Sequence, residues 1–540
     1  MSVCKADRRA LFYFKFNTKR GELHLIMSKS KLLNALKSQA NFTLTENLAA
    51  SYKSTLSDCL DLFASIGALR NASEQDIILR FSRAFAEEPN LALKTLFYAR
   101  DVRGGLGERR VFRIIIKWLA QHDSKALIKN LKFIPEFGRW DDLLILINTN
   151  NDCGLAALNF IKAQFELDLN NLRDNLPASL LAKWLPSINA SNSQTVLNAK
   201  RIAKFLNLNY ADYRKNLTAL RNSIKLLENY LRERDYSFDY SKQPSRAMYK
   251  YKKAFIRNDE QRYKDFLEQV SQGKAKLNTG TLMPYDIVAP IVYEDNIPNY
   301  FYRNIEIEPD NNTCVTMTED ERKAADVTWN ALENFAENIN NALVVIDGSG
   351  SMYRLTRPDP ASVALSLGIY FAERNSGAFK NHFITFSESP QLVEIKGRDI
   401  YEKVKYCMGF NEAANTNLQK VFELILKAAH EHEVKQADMP EAIYIISDME
   451  FDYCMEDASM TNFDYAKKLF KAYGYKMPKI IFWNVDARNF QQPVTMNEQG
   501  VCLISGNSAR LFNIAMRGGA TPYELMLEVL LSERYKEIKY

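Results

Sequence analysis

Residues 342–352 read Ala-Leu-Val-Val-Ile-Asp-Gly-Ser-Gly-Ser-Met. The apolar run Ala342–Ile346 is too short for a buried helix. Its apolarity is continuous rather than alternating, as in a strand covered on both faces. Ala442–Ile446 and Lys479–Phe482 repeat that pattern, and helical periodicities over Ala361–Arg374, Leu418–His430 and Phe463–Ala472 supply covers. Strands alternating with helices predict a doubly wound parallel sheet over 339–520, followed by a C-terminal helix over 521–540. Loops beyond the carboxyl ends of such strands converge on a binding site, and Asp347-Gly348-Ser349-Gly350-Ser351 is such a loop. A carboxylate and two hydroxyls at alternate positions suit a hard cation that takes oxygen ligands, and the glycines let the backbone turn closely around it. Thr416, just ahead of a helix, and Asp448, at the end of the strand 442–447, are placed to complete the shell.

Upstream the pattern changes. Within a helical-repeat domain expected over 45–300, apolar residues recur at helical spacing from about 45 to 270: Ile77, Ile78, Phe81, Ala84 and Phe85, then Leu91, Leu93, Leu96 and Phe97, then Val111, Ile114, Ile115 and Leu119. Gly104, Gly105, Gly107, Pro135 and Pro177 punctuate the series. Helices of this length joined by short loops predict a stacked, HEAT-like array without a strict sequence repeat. Residues 1–44 read as an N-terminal extension with a short hairpin over Ala10–Met27, dispensable as far as residue 26. Pro284, Pro290 and Pro298 mark a stretch without helical period, and 301–338 reads as a connecting segment.

The net charge of +6 hides an asymmetry: residues 1–300 hold 46 Lys+Arg against 31 Asp+Glu, while 301–540 hold 25 against 34. A basic half that meets polyanions and an acidic half that holds a cation follow from that split. The 46% hydrophobic and 25% charged composition excludes a disordered or fibrous chain. Seven scattered cysteines without a CxxC pair read as reduced thiols in a cytoplasmic protein and argue against zinc. No apolar run approaches a membrane span, and no signal peptide opens the chain.

DGSGS with Thr416 and Asp448 resembles the metal-ion-dependent adhesion site of von Willebrand factor type A domains. The resemblance implies that Asp347, Ser349, Ser351, Thr416 and Asp448 surround Mg²⁺ or another divalent cation. An open position would then take a carboxylate from a protein partner. One departure is Asn415, where the family carries glycine before the threonine. Further blocks are Leu96-Phe97-Tyr98-Ala99-Arg100-Asp101-Val102-Arg103-Gly104-Gly105 with Gly107-Glu108-Arg109-Arg110, Lys183-Trp184-Leu185-Pro186-Ser187, Tyr213-Arg214-Lys215 and Pro244-Ser245-Arg246. Ahead of a type A domain they resemble the TROVE module of Ro ribonucleoproteins, most closely an uncharacterised TROVE-like family, over roughly 45–540. In Ro proteins the repeats close into a ring and bind structured or single-stranded RNA, which implies a role in RNA quality control or processing. Ring closure in this chain is left open.

Arg103–Gly107 ahead of a helix starting near Glu108 offers backbone N–H groups to a phosphate, helped by Arg100, Arg109 and Arg110; an ordinary helix–helix turn is the plain alternative. Lys200, Arg201, Lys204, Arg214 and Lys215, with Tyr210 and Tyr213 nearby, suit phosphates plus base stacking, and Lys183 adds to this basic set. Trp140 and Trp184 read as core anchors, Asp141, Asp142 and Asp174 as caps or ion-pair partners, and Glu450 and Asp452 as an acidic rim or as supports behind the cation's ligands. No nucleophile–histidine or paired acid/base arrangement is visible, so the expected function is a non-enzymatic RNA-binding protein without DNA specificity. The rival is a protein-interaction adaptor that uses the metal site and the array without RNA.

Overall fold

The structure is a computed structural model describing residues 39–292, 317–337, 341–354, 358–386, 389–410, 417–452, 460–517 and 519–540, together with 36, 339 and 356. The hairpin expected over 10–27 lies outside the described residues. The chain divides into residues 1–42, of which 39–41 are helical, and a body from Thr43 to Tyr540 that carries all that follows.

The first part of the body is helical, as the periodicities require. Its principal helices are α1 (Asp58–Ser65), α2 (Glu74–Glu87), α3 (Pro89–Arg100), α4 (Arg110–His122), α5 (Ser124–Asn130) and α6 (Asp152–Arg173). Next come α7 (Ser193–Phe205), α8 (Tyr210–Ser223), α9 (Ser245–Asn258) and α10 (Glu260–Ser271). The stripe residues Ile77, Phe81 and Ala84 of α2 and Val111, Ile115 and Leu119 of α4 are buried. Side-chain caps begin many of these helices; Ser73 accepts from the Asp76 N–H and Asn151 from those of Cys153 and Gly154.

Two expectations are corrected here. The proline-marked stretch is partly a helix, α11 (Pro284–Val292): Pro284 occupies its first position, where a missing N–H costs little, while Pro290 lies inside the helix and gives up the bond an N–H there would make to the Asp286 carbonyl. Its apolar residues Ile287, Val288, Ile291 and Val292 are buried. The connecting segment also contains a packed helix, α12 (Glu319–Asn330), opened by a reciprocal Thr318/Glu321 capping box. Ala324 and Val327 of α12 join Phe255 and Tyr263 in one apolar cluster.

The second part alternates β1 (Ala342–Asp347), α13 (Pro360–Arg374), β2 (His382–Phe386), β3 (Leu392–Glu394), α14 (Ile400–Met408) and α15 (Leu418–Glu431). It continues with β4 (Ala442–Ser447), α16 (Asn462–Ala472), β5 (Lys479–Asn484), β6 (Val501–Ser505), α17 (Leu511–Arg517) and α18 (Pro522–Leu530). The six strands are ordered β3-β2-β1-β4-β5-β6, all parallel except β3, which runs against β2. This is a mostly parallel, doubly wound sheet. Successive residues of each strand point to opposite faces. Val344, Tyr444 and Ile481 pack toward α13 and α17, and Val345, Ile445 and Phe482 toward α15 and α16.

The helical and sheet parts share one continuous buried cluster running from Cys59 to Ile538. Gly67 lies so close to β6 that a Cβ there would stand 2.3 Å from the Ser505 carbonyl oxygen. Beyond α18 the chain returns to α3 and α5: Tyr535 Oη donates to Asp101 at 3.0 Å, Arg534 pairs with the same carboxylate, and Asn130 Nδ2 donates to the Lys539 carbonyl at 2.7 Å. Cys59, Cys153, Cys407 and Cys502 are free and buried; Cys4, Cys314 and Cys454 lie outside the described residues. Among the described residues no helix is long and apolar enough to cross a membrane.

Candidate cation site and basic helical surface

In the strand order the chain runs from β1 outward to β2 and β3, then returns to the other side of β1 as β4. A crevice opens beyond the strand ends at such a reversal, and Asp347 and Asp448 stand on its two sides. Asp347 is 1% exposed; its Oδ1 accepts from the Ser349 N–H at 2.9 Å and its Oδ2 from Ser447 Oγ at 2.5 Å. The Ser349 and Ser351 hydroxyl oxygens lie 3.1 Å apart. Asp448 Oδ1 accepts from the Glu450 N–H at 3.2 Å. Burial, and after it the charge of Asp448, pushes the Asp347 pKa up to about 7 against the lowering bonds from Ser447 and Ser349. Two like charges held out of water at one sheet edge favour a cation between them. Asp347, Ser349, Ser351 and Asp448 therefore share this edge, while Thr416 lies outside the described residues. Their donors are oxygen only, the chemistry that Mg²⁺ prefers. Among the described residues no group of three His, Cys, Asp or Glu side chains converges for a metal.

Sequence reasoning missed the counter-charges. Arg488, beyond β5, places its guanidinium 2.7 Å from Asp448 Oδ2 and 2.5 Å from Glu46 Oε2. Asp486, also beyond β5 and 3% exposed, faces Arg354 at 3.3 Å and accepts from Asn71 Nδ2 at 3.3 Å. Glu450 is buried rather than on a rim: it accepts from the Glu46 N–H at 2.8 Å, Asn489 Nδ2 at 2.9 Å and Gln491 Nε2 at 2.6 Å. Burial raises the pKa of both Asp486 and Glu450. The available signal was Asp486-Ala-Arg488, four residues beyond Lys479–Phe482, a third strand end with charge on it.

The basic candidates divide. Arg100 is a core residue, 2% exposed, with its guanidinium at 2.8 and 2.7 Å from Asp142 Oδ2, so no charge is offered to a polyanion. The glycine loop does not cradle a phosphate either. The Gly105 and Gly107 N–H groups donate to the Asp101 carbonyl, that of Leu106 to Tyr98 and that of Glu108 to Ala99. Helix α4 begins at Arg110, within two residues of the expected start. A Cβ on Gly105 would stand 2.0 Å from the Tyr98 carbonyl oxygen, and Gly107 has a φ of +72°. The motif is a close helix–helix turn. Arg110 is exposed and donates to the Ala72 carbonyl at 2.7 Å, Arg109 lies 3.7 Å from Asp141, and Arg103 is exposed. Lys183 is half-buried and pairs with Glu228 at 3.4 Å.

Lys200, Arg201 and Lys204 of α7 and Arg214 and Lys215 of α8 are all exposed, and among the described residues none joins an ion pair. Tyr210 is 50% exposed, with Lys200 Nζ 5.7 Å from its ring centroid. Tyr213 is no stacking platform: it is fully buried and donates to the Pro186 carbonyl at 2.9 Å. Trp140 packs on Phe160, and the Arg139 guanidinium lies over Trp184 at 4.2 Å.

Comparison with known proteins gives kinship without an established activity. The chain is 29% identical over 530 residues to an uncharacterized protein of Acanthamoeba polyphaga mimivirus, covering 91% of this chain and 87% of that one. The crystal structure of the Deinococcus radiodurans RO (RSR) protein aligns over 87% of this chain and 93% of that chain. Identity is 12% and the TM-score 0.33, a superposition too loose to carry function. Residues 341–536 match a domain of unknown function, DUF7788. Residues 45–164 and 156–338 match a second one, DUF2828, and with more than half of its length so matched the chain belongs to the DUF2828 family.

Proposed function

We propose that this chain is a non-enzymatic RNA-binding protein whose helical surface takes RNA and whose sheet edge holds a divalent cation. The α7–α8 surface carries the reading: five exposed cations that join no ion pair among the described residues, beside an exposed tyrosine. Unpaired cations release counterions when they meet phosphates, and an exposed aromatic ring accepts an unstacked base. The resemblance to Ro ribonucleoproteins supports RNA as the polyanion and a role in RNA quality control or processing. At the sheet edge Asp347, Ser349, Ser351 and Asp448, with Thr416, would hold Mg²⁺. A bound Mg²⁺ supplies an open coordination position for a carboxylate of a protein partner.

Mobility shift of single-stranded and hairpin RNA at several salt concentrations tests the first half. Five phosphate contacts predict a slope of log K against log salt of about −3.5 for single strands, and reversing charge at Arg214 and Lys215 reduces its magnitude by about 1.4. No shift of either RNA at low salt refutes the reading and leaves the array as a protein-interaction adaptor. For the cation, Asp347→Ala abolishes Mg²⁺-dependent thermal stabilisation; an unaltered Mg²⁺ response refutes the ligand assignment.

A further inference from the structure

Between the start of α6 and the end of α7 lies an open groove of about 670 Å³. Three cations line it, Lys162, Arg201 and Lys204, and none of its lining residues is acidic. Arg201 and Lys204 stand three residues apart on α7, so they present their charges side by side along one wall. Among the described residues neither is in an ion pair; Lys162 has only a loose, exposed contact at 3.9 Å to Glu166.

The rest of the lining is not what a phosphate alone requires. Leu155 is 53% exposed and Phe205 half-buried, so an apolar surface faces solvent inside a basic groove. Desolvating it rewards a flat apolar ligand. Asn150 and Asn207 line the groove as well. No hydrogen bond engages either side-chain amide among the described residues, unlike Asn151, whose amide caps α6 and reaches the Ala120 carbonyl. Free amides supply both a donor and an acceptor to a ligand edge.

We infer that this groove binds a nucleoside monophosphate unit, either free or as one link of a single-stranded RNA. Arg201, Lys204 and Lys162 hold the phosphate. Phe205 and Leu155 back the base, and Asn207 and Asn150 meet its polar edge. The volume falls within the range of small-ligand pockets. Only the second source, a link of an RNA strand, rests on the RNA-binding reading above.

Calorimetric titration of the full chain with UMP, AMP and inorganic phosphate, and separately with a uridylate decamer, tests this. The nucleotides bind at least about tenfold more tightly than phosphate, because a stacked base adds to the phosphate contact. Arg201→Glu/Lys204→Glu, and separately Asn207→Asp, each weaken nucleotide binding at least about tenfold. All three side chains are solvent-accessible, and Asn207 has a φ of +56°, which aspartate also tolerates. Unchanged thermal midpoints show that the variants fold. Nucleotides that bind no better than phosphate, or that are indifferent to both variants, overturn the site. A decamer that binds the wild type and both variants equally removes the groove but leaves the RNA reading standing. Mononucleotides that depend on the groove, with a decamer that binds no tighter, support a free-nucleotide site and remove the single-strand link.

Discussion

Arg488 holds a positive charge where the cation reading needs a second one to fit. Its guanidinium is 2.7 Å from Asp448, whose side chain is 0% exposed, and 2.5 Å from Glu46, which is 47% exposed. The Glu46 contact is worth at most about 1 kcal/mol. Losing one member of a buried pair costs about 3–5 kcal/mol, because the other charge stays buried alone. Arg488→Met therefore lowers stability by about 3 kcal/mol without divalent cations. The same substitution leaves Asp347 and Asp448 with more uncompensated charge, so Mg²⁺ binds the variant more tightly. At a hundred times its dissociation constant, Mg²⁺ returns about 2.7 kcal/mol. Urea unfolding followed by tryptophan fluorescence, in EDTA and in Mg²⁺, reads both quantities; Trp483 of β5 lies fully buried beneath the sheet edge. A loss below about 1 kcal/mol shows that the pair is not desolvated as described. An equal loss with and without Mg²⁺ shows that no cation takes the place of the guanidinium.

Two further outcomes follow from buried charges elsewhere. Asp101 is 0% exposed and is gripped by Arg534, Tyr535 Oη and the Arg103 N–H; burial acts to raise its pKa, but these partners hold it below the usual carboxylate value. Asp101→Asn costs about 3 kcal/mol, and a double-mutant cycle with Arg534→Ala gives a coupling of about 1–3 kcal/mol; additive losses would show that the two residues act separately. Lys252, 7% exposed and with its ammonium 3.8 Å from the Tyr249 ring centroid, is lowered by burial from 10.5 to about 8. The unfolded chain keeps this proton to higher pH than the fold does, so stability rises from about pH 8 to about pH 10.5 by up to about 3 kcal/mol. Lys252→Met flattens that rise and stabilises the protein at pH 7; a pH profile unchanged by the substitution would exclude Lys252 as its source.

The sheet was legible where burial is two-sided. ALVVI, AIYII and KIIF are continuous apolar runs because helices cover both faces, and each strand lies within two residues of its expected bounds. Strand β2, His-Phe-Ile-Thr-Phe, was hidden by polar residues near the sheet edge. Val501–Ser505, flanked by Gly500 and Gly506, carried a readable signal that a helix-centred reading passes over. Asp347 and Asp448 were legible because both terminate recognisable strands. Arg488 was not, since only the pairing of β4 with β5 brings it across to Asp448. Basic residues were legible as types but not as surfaces. Arg100 looks like Arg214 until Asp142, 42 residues away, is seen to neutralise it.

The grip of the C-terminal segment on Asp101 imposes an order in time. The partners of this buried carboxylate lie 433 and 434 residues later in the chain. At about 5–20 residues per second, a ribosome needs on the order of 20 to 90 s to supply them. During that interval Asp101 sits on a nascent helix with only its local N–H partners, and the glycine turn beside it lacks the segment that closes over it. The surroundings of Asp101 and Asn130, although made early, cannot reach their final packing until residues 534–539 emerge. A protease pulse on stalled nascent chains would show the turn near Gly105 open throughout that time. In this protein the packing around Asp101 closes only after residues 534 and 535 have been made.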